Sequence, residues 1–187
     1  MVDTLKKDFP IADEWLSFEI HPETPPQGVL LSVRLPGIDW DEMYHNLRCS
    51  GSQFGITFGD VKVLSNSRKA LEASEYARDQ GKYGEFHEKV FHAYFAEMQD
   101  IGRVDVILEL ARSAGMDAEE LKVALGEGRY TTRLEESLRE GHLYNVSAVP
   151  TFIIDEKYTI VGAQPIEVFQ EALQSVEKKG QGSRDKE

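Results

Sequence analysis

Few residues in this chain could carry chemistry. Cys49 is the single thiol among 187 residues. A lone cysteine excludes an internal disulfide and a four-cysteine zinc site. A reactive thiolate needs a helix N-terminus or a neighbouring cation. The residues before Cys49 read as a helix, which puts the thiol near a C-terminus, where the dipole disfavours an anion. Cys49 therefore reads as a structural or incidental cysteine. His87 and His92 lie five apart, whereas two metal ligands on one helix face lie four apart. With His21, His45 and His142 they read as surface or capping histidines. Gly51, Gly55 and Gly59 lack the Lys-Ser/Thr that completes a phosphate loop, so they read as a flexible connection. The acidic residues are scattered through amphipathic segments, with no carboxylate pair placed for acid–base work; a solvated charged face accounts for them.

One stretch stands apart, residues 145–164, N-V-S-A-V-P-T-F-I-I-D-E-K-Y-T-I-V-G-A-Q. Residues 149–154 are apolar and β-branched, Asp155-Glu156-Lys157 is a polar turn, and residues 158–161 are apolar again, which predicts a hairpin. Pro150 stands at the entrance of the first strand, where no ladder donor is required. About one X-Pro bond in twenty is cis, so Val149-Pro150 taken alone reads as trans.

The elements that must position these residues follow from periodicity. Residues 2–9 read as a short helix ended by Pro10. Residues 15–20 alternate, with Leu16, Phe18 and Ile20 on one face and Ser17 and Glu19 on the other, which predicts a strand. Three prolines in 22–26 predict an extended loop. Residues 28–35 suit a strand cut short by Pro36-Gly37. From Asp39 the pattern is helical for about a hundred residues. Asp39 is a predicted cap, as is Ser67, which opens a helix facing inward through Ala70, Leu71, Ser74 and Ala77. Phe86, Val90, Phe91, Tyr94, Phe95 and Met98 form one wide apolar stripe. Residues 104–114 form a helix stopped by Gly115. Asp117 to Glu120 has capping-box spacing. A last helix of this run covers 129–143, and Pro165 opens a final one with Ile166, Phe169, Leu173 and Val176 on its apolar stripe.

At 41% hydrophobic residues the chain can build a sizeable core. A net charge of −12 makes nucleic acid and anionic membrane poor partners. No apolar run has the length of a membrane span. The start, M-V-D-T-L-K-K-D-F-P, has no hydrophobic signal core, so a cytoplasmic location is expected.

V-P-T-F-I-I, the turn, V-G-A-Q-P and the amphipathic helix after it together resemble the end of a thioredoxin-fold protein. The G-A-Q-P run narrows the resemblance to DsbA-like proteins of the FrnE type. So do E-x-H-P-x-x-P-P-x-G at 19–28, N-S-R-K-A-L-E-A-S-E-Y-A-R at 66–78, H-E-K-V-F-H-A-Y-F at 87–95 and L-A-R-S-A-G-M-D at 110–117. The resemblance spans roughly residues 15–173 and is specific in its combination of segments.

That resemblance implies an α/β thioredoxin-like fold, incomplete at the N-terminus, with a large all-helical insertion. It implies a discontinuous thioredoxin-like domain of residues 1–36 and 145–179, a helical insertion of 37–144 and a disordered tail of 180–187. Strands at 15–20, 149–154 and 158–161 are expected to share one sheet. Pro150 is expected to be cis, and Val149 to offer its backbone to an extended peptide or a small thiol; these two form the implied substrate-binding site. Ala148 departs from the glycine common there.

DsbA-like enzymes act through C-x-x-C at the start of the first helix, and no C-x-x-C occurs here. The chain is expected to enter near the end of that helix, lacking the first strand and the redox motif by truncation or natural loss. The implied function is a thiol–disulfide oxidoreductase scaffold without its catalytic segment, inert in exchange and without a cofactor. Two alternatives stand beside it. One is a glutathione-dependent transferase or isomerase of the kappa-class or hydroxychromene-carboxylate isomerase type, the other a non-catalytic peptide-binding or assembly module. In the resembling fold the first strand lies between the strands matching 15–20 and 149–154. Its slot is expected to be filled by residues 28–35, by a partner chain in a homo-oligomer, or by direct closure of the flanking strands.

Overall fold

The computed structural model describes residues 1–184, with side-chain surroundings through residue 178. In order, its elements are α1 (Val2–Leu5), β1 (Val29–Leu30), α2 (Leu31–Arg34), α3 (Trp40–Ser52), β2 (Val63–Leu64), α4 (Arg68–Asp79) and α5 (Tyr83–Phe91). A π-turn, His92–Ala96, continues α5 and is followed by α6 (Val104–Ser113), α7 (Ala118–Glu127), α8 (Thr131–Leu143), β3 (Thr151–Ile154), β4 (Tyr158–Val161) and α9 (Ile166–Arg184). The chain divides into two compact units. One comprises residues 1–20 with the chain from Ser137 onward, the other residues 21–136.

The larger unit has a helical core. Ala73, Ala77, Phe86, Ile107, Ala111, Leu121 and Ala124 are fully buried together. Small residues on α4 let neighbouring helices approach closely, and Phe86 and Ile107 fill the space left. Asp39 accepts a hydrogen bond from the Glu42 N–H, and Asp117 accepts from the N–H groups of Glu119 and Glu120, so both expected aspartate caps form. Ser67 makes no side-chain cap; Asn66 Oδ1 accepts from the Arg68 N–H instead.

Residues 28–35 do not form a strand of useful length. Two residues, β1, pair antiparallel with β2, and the chain then turns helical as α2. Gly28 enters this pair at φ +73°, and a Cβ there would lie 2.7 Å from Val63 Cγ1 and 2.8 Å from Leu64 O. Glycine satisfies both demands, a left-handed backbone and a close approach. This ladder places one short strand, β2, inside the region expected to be all-helical, and residues 21–36 group with the helices. No strand occurs among residues 67–138.

The predicted aromatic stripe divides between two faces. Phe86, Val90 and Ala93 are buried, whereas Phe91, Phe95 and Met98 are exposed. Residues spaced by four keep one line, so Tyr83, His87, Phe91 and Phe95 make a separate file of ring contacts at 5.6, 4.3 and 5.6 Å.

The smaller unit is built on a hairpin. β3 and β4 pair antiparallel with Phe152 opposite Ile160 and Ile154 opposite Tyr158. Phe152, Ile154 and Ile160 pack on Leu5 of α1 and on Ile166, Phe169 and Leu173 of α9. The turn places Asp155 and Glu156 at φ 51° and 54°, the primed geometry that matches the twist of the strands.

Residues 15–20 join no sheet. Over residues 16–20 the alternation survives with its sense reversed: Ser17 and Glu19 are buried, while Leu16 is exposed and Phe18 and Ile20 are half-buried. A strand exists only against a partner, and neither β3 nor β4 pairs with this segment. Gly141 of α8 meets Phe18, where a Cβ would lie 2.5 Å from the ring, and this packing places the end of α8 with the hairpin unit. α9 continues to Arg184, so residues 180–184, expected as part of a disordered tail, are helical; residues 185–187 of that tail lie outside the described residues.

Candidate functional site

The approach to Val149 and Pro150 begins at the end of α8. Asn145 adopts φ 56°, its N–H donates to His142 O at 3.0 Å, and the Val146 N–H donates to Gly141 O at 2.9 Å. These two bonds close a Schellman motif, with asparagine in the left-handed position usually held by glycine. The chain leaves the helix at a fixed angle and reaches β3 within five residues. Thr151 Oγ1 donates to Ala148 O at 2.7 Å, bridging the two residues on either side of Val149-Pro150.

The Val149-Pro150 bond is cis. Pro150 O accepts from the Gly162 N–H at 2.7 Å, so the proline is tied to the far end of β4. Gln164 Nε2 in turn donates to Val161 O at 2.9 Å, bracing that end. Behind it, Phe152 meets Phe169 edge-on at 4.8 Å, fixing the strand on α9. Val149 and Pro150 are both exposed, Val149 by 51%. Among the described residues no backbone hydrogen bond engages Val149, the residue beside the proline ring.

This arrangement suits recognition rather than bond making. Residues 145–154 include no titratable side chain. What they present is the backbone N–H and C=O of Val149, apolar surface and the hydroxyl of Ser147. A backbone donor and acceptor beside an apolar side chain can pair with an extended peptide or with the peptide-like arms of a small thiol.

The other candidate residues lie elsewhere and are held by local contacts. Cys49 is exposed in the later part of α3, its Sγ 3.6 Å from His45 Nε2 on the preceding turn. His87 stacks between Tyr83 and Phe91, and burial pulls its pKa below the ordinary imidazole value. His92 lies 3.4 Å from Glu97 and His21 lies 3.3 Å from Glu23, and His142 meets the Phe18 ring. Among the described residues no three His, Cys, Asp or Glu side chains converge to hold a metal.

Three acids overturn the expectation of a uniformly solvated charged face, Glu19, which is 3% exposed, and two on α4. Glu72 and Glu75 on α4 are 1% and 2% exposed. Lys69 Nζ donates to Glu72 at 2.8 Å and Arg78 Nε to Glu75 at 3.2 Å. Arg133 Nη1 lies 3.7 Å from Glu75. Buried carboxylates persist only when so paired. The signal in the sequence was the i, i+3 spacing of each α4 acid and its cation, which also fits an exposed helix and so could not reveal the burial.

Comparison with known proteins adds the family. A family model described as a DSBA-like thioredoxin domain matches residues 5–174. The "Uncharacterized protein YwbO" of Bacillus subtilis (strain 168) is 30% identical over 171 residues, covering 89% of this chain and 82% of that protein. The crystal structure of a probable DsbA oxidoreductase, SCO1869 from Streptomyces coelicolor, superposes with a TM-score of 0.77 at 25% identity, covering 86% of this chain and 73% of that one. A 2-hydroxychromene-2-carboxylate isomerase superposes with a TM-score of 0.68 at 16% identity, covering 97% and 89%, a likeness of fold alone. With its hairpin, its helical stretch and this match over nearly all of its length, the chain belongs to the DSBA-like thioredoxin domain family.

Proposed function

We propose that this chain is a DsbA-family thiol–disulfide oxidoreductase scaffold that binds its ligand at Val149 and Pro150 but does not itself exchange disulfides. The observation that carries the reading is the thiol count. Exchange through a mixed disulfide needs an attacking thiolate and a second thiol to resolve it. Cys49 is the single cysteine, and it sits late in α3 rather than at a helix N-terminus. Val149, with an unengaged backbone and an exposed side chain, supports binding of an extended peptide. The long helical stretch between the N-terminal segment and the hairpin supports the FrnE-type assignment. A single thiol without a disulfide fits a reducing, cytoplasmic setting.

The test takes the purified chain through an insulin-reduction assay and a dithiol-oxidation assay. Peptide and glutathione titrations are then followed by amide chemical shifts. The expected result is no turnover in either assay, with peptide-induced shifts centred on Val149 and Thr151. Turnover would overturn the reading. Shifts with glutathione and none with peptide would move the assignment to the glutathione-dependent branch.

A further inference from the structure

Between α8 and β3 the chain is pinned by backbone bonds at both ends but not between them. The Asn145 and Val146 N–H groups bond back to α8, and Pro150 O accepts from the Gly162 N–H. Among the described residues, no backbone-to-backbone hydrogen bond engages Ser147, Ala148 or Val149. The bond that holds this stretch comes from a side chain, Thr151 Oγ1 donating to Ala148 O at 2.7 Å.

Peptide geometry turns that bond into a direction. The Ala148-Val149 unit is trans, so it is planar and its C=O and N–H point opposite ways. With Ala148 O held on the Thr151 hydroxyl, the Val149 N–H points away from that hydroxyl. Pro150 has no N–H, so the Val149 N–H is the last backbone donor ahead of Thr151. The residue before a proline is confined to extended ψ values. What stays open at Val149 is the tilt of the Ala148-Val149 unit, and the hydroxyl fixes that tilt.

We propose that Thr151 is the positioning residue of the candidate site, its hydroxyl setting the direction of the Val149 N–H that meets an extended ligand. The inference rests on the reading of Val149 and Pro150 as the ligand site. A threonine at the head of a strand has a plainer explanation, since a β-branched side chain suits a strand. Valine serves that purpose equally well and has nearly the same shape, but it lacks the donor. The two explanations therefore part at Thr151→Val. A strand residue tolerates the change with no effect at Ala148; a positioning residue does not.

The experiment records carbonyl and amide NMR spectra of the full chain as the parent, Thr151→Val and Thr151→Ser. Each is observed free and during titration with an acetylated, amidated Ala-Thr-Val-Thr-Ala pentapeptide. In the free chain, Thr151→Val is expected to move the Ala148 carbonyl resonance and to broaden the Val149 amide, as the unit exchanges between two tilts. Thr151→Ser keeps the donor and is expected to return both signals to those of the parent. Unchanged amide exchange across the β3–β4 ladder shows that the hairpin is intact in both variants. With peptide, Thr151→Val is expected to bind about fivefold more weakly than the parent, the worth of one hydrogen bond, and Thr151→Ser to bind as the parent does. Ala148 and Val149 signals unmoved by Thr151→Val overturn the inference. So does a change that Thr151→Ser fails to reverse, since the methyl group rather than the donor is then responsible. Equal peptide affinity of Thr151→Val and the parent also overturns it, since the tilt then has no bearing on the ligand. A parent chain that binds no peptide sinks the reading of the site instead, and the free-chain spectra still decide whether the hydroxyl sets the Val149 N–H.

Discussion

Arg133 Nη1 lies 2.8 Å from Asp79 Oδ1, joining the first turn of α8 to the last residue of α4. The other oxygen of the same carboxylate accepts from the Tyr130 hydroxyl at 2.9 Å, and the Arg133 guanidinium stands 5.2 Å from the Tyr130 ring. One carboxylate thus fixes a cation and a phenol at the start of α8, and each has its own signature in pH.

In acid, the hydrogen bond from Arg133 holds the Asp79 carboxyl below its ordinary range. A carboxylate with a depressed folded pKa adds stability above the unfolded value and loses it as pH falls through the folded one. Asp79→Asn should lower the melting temperature at neutral pH. It should also shrink the loss of stability between about pH 5 and pH 2 relative to the parent chain. Melting temperatures at one-unit pH steps check both; parallel curves for the two proteins would refute the assignment.

In alkali, burial first and the Asp79 hydrogen bond second push the Tyr130 phenol up to about 12. A raised folded pKa gives stability that is complete below the unfolded phenol value, near 10, and is lost as pH rises through the folded one. The difference in stability between the parent and Tyr130→Phe should therefore be constant up to about pH 10 and then shrink. Urea titrations at fixed alkaline pH measure that difference, and a gap that widens with pH would contradict the sign.

Ser65 carries a buried hydroxyl with no hydrogen-bond partner among the described residues. An unsatisfied buried hydroxyl costs about 1–3 kcal/mol. Ser65→Ala removes it with little change in volume, and the expected outcome is a stabilisation of about 1 kcal/mol in chemical denaturation. A loss of stability would mean that the hydroxyl is satisfied in solution.

The hairpin turn holds two non-glycine residues at positive φ, Asp155 and Glu156. Primed turns favour Asn-Gly because the left-handed region is costly for other side chains. Replacing the pair with Asn-Gly should raise stability by about 1 kcal/mol, with the amides of β3 and β4 exchanging more slowly. Unchanged or faster exchange there would show that the native turn is not strained.

How much of this was readable in advance depends on whether the deciding contact was local. Asp39 and Asp117 cap their helices as read, since the acceptor and the amides it serves lie within three residues. The hairpin was readable for the same reason: its strands, turn and following proline are consecutive. Residues 15–20 were misread because alternation specifies a periodicity but not a partner, nor which of two faces meets the core. The aromatic stripe was read as single because spacing of three to five residues cannot separate the line through Phe86 and Val90 from that through Phe91 and Phe95. At the site, the strand entrance at Pro150 was visible in sequence. The Schellman closure at Asn145 was not foreseen, although an asparagine just past an apolar helix was the available cue.

The division into two units has a practical corollary. The chain holds two tryptophans, and each unit has one, Trp15 in the hairpin unit and Trp40 in the helical unit. Trp15 is 46% exposed, with Nε1 donating to Asp13, and Trp40 stands 6.1 Å from Tyr44. The variants Trp15→Phe and Trp40→Phe therefore convert the chain into two single-emitter proteins, each reporting on one unit without an added dye. Coincident fluorescence transitions in the pair would mark a single cooperative melt; separated midpoints would mark two folding units, each with its own free energy.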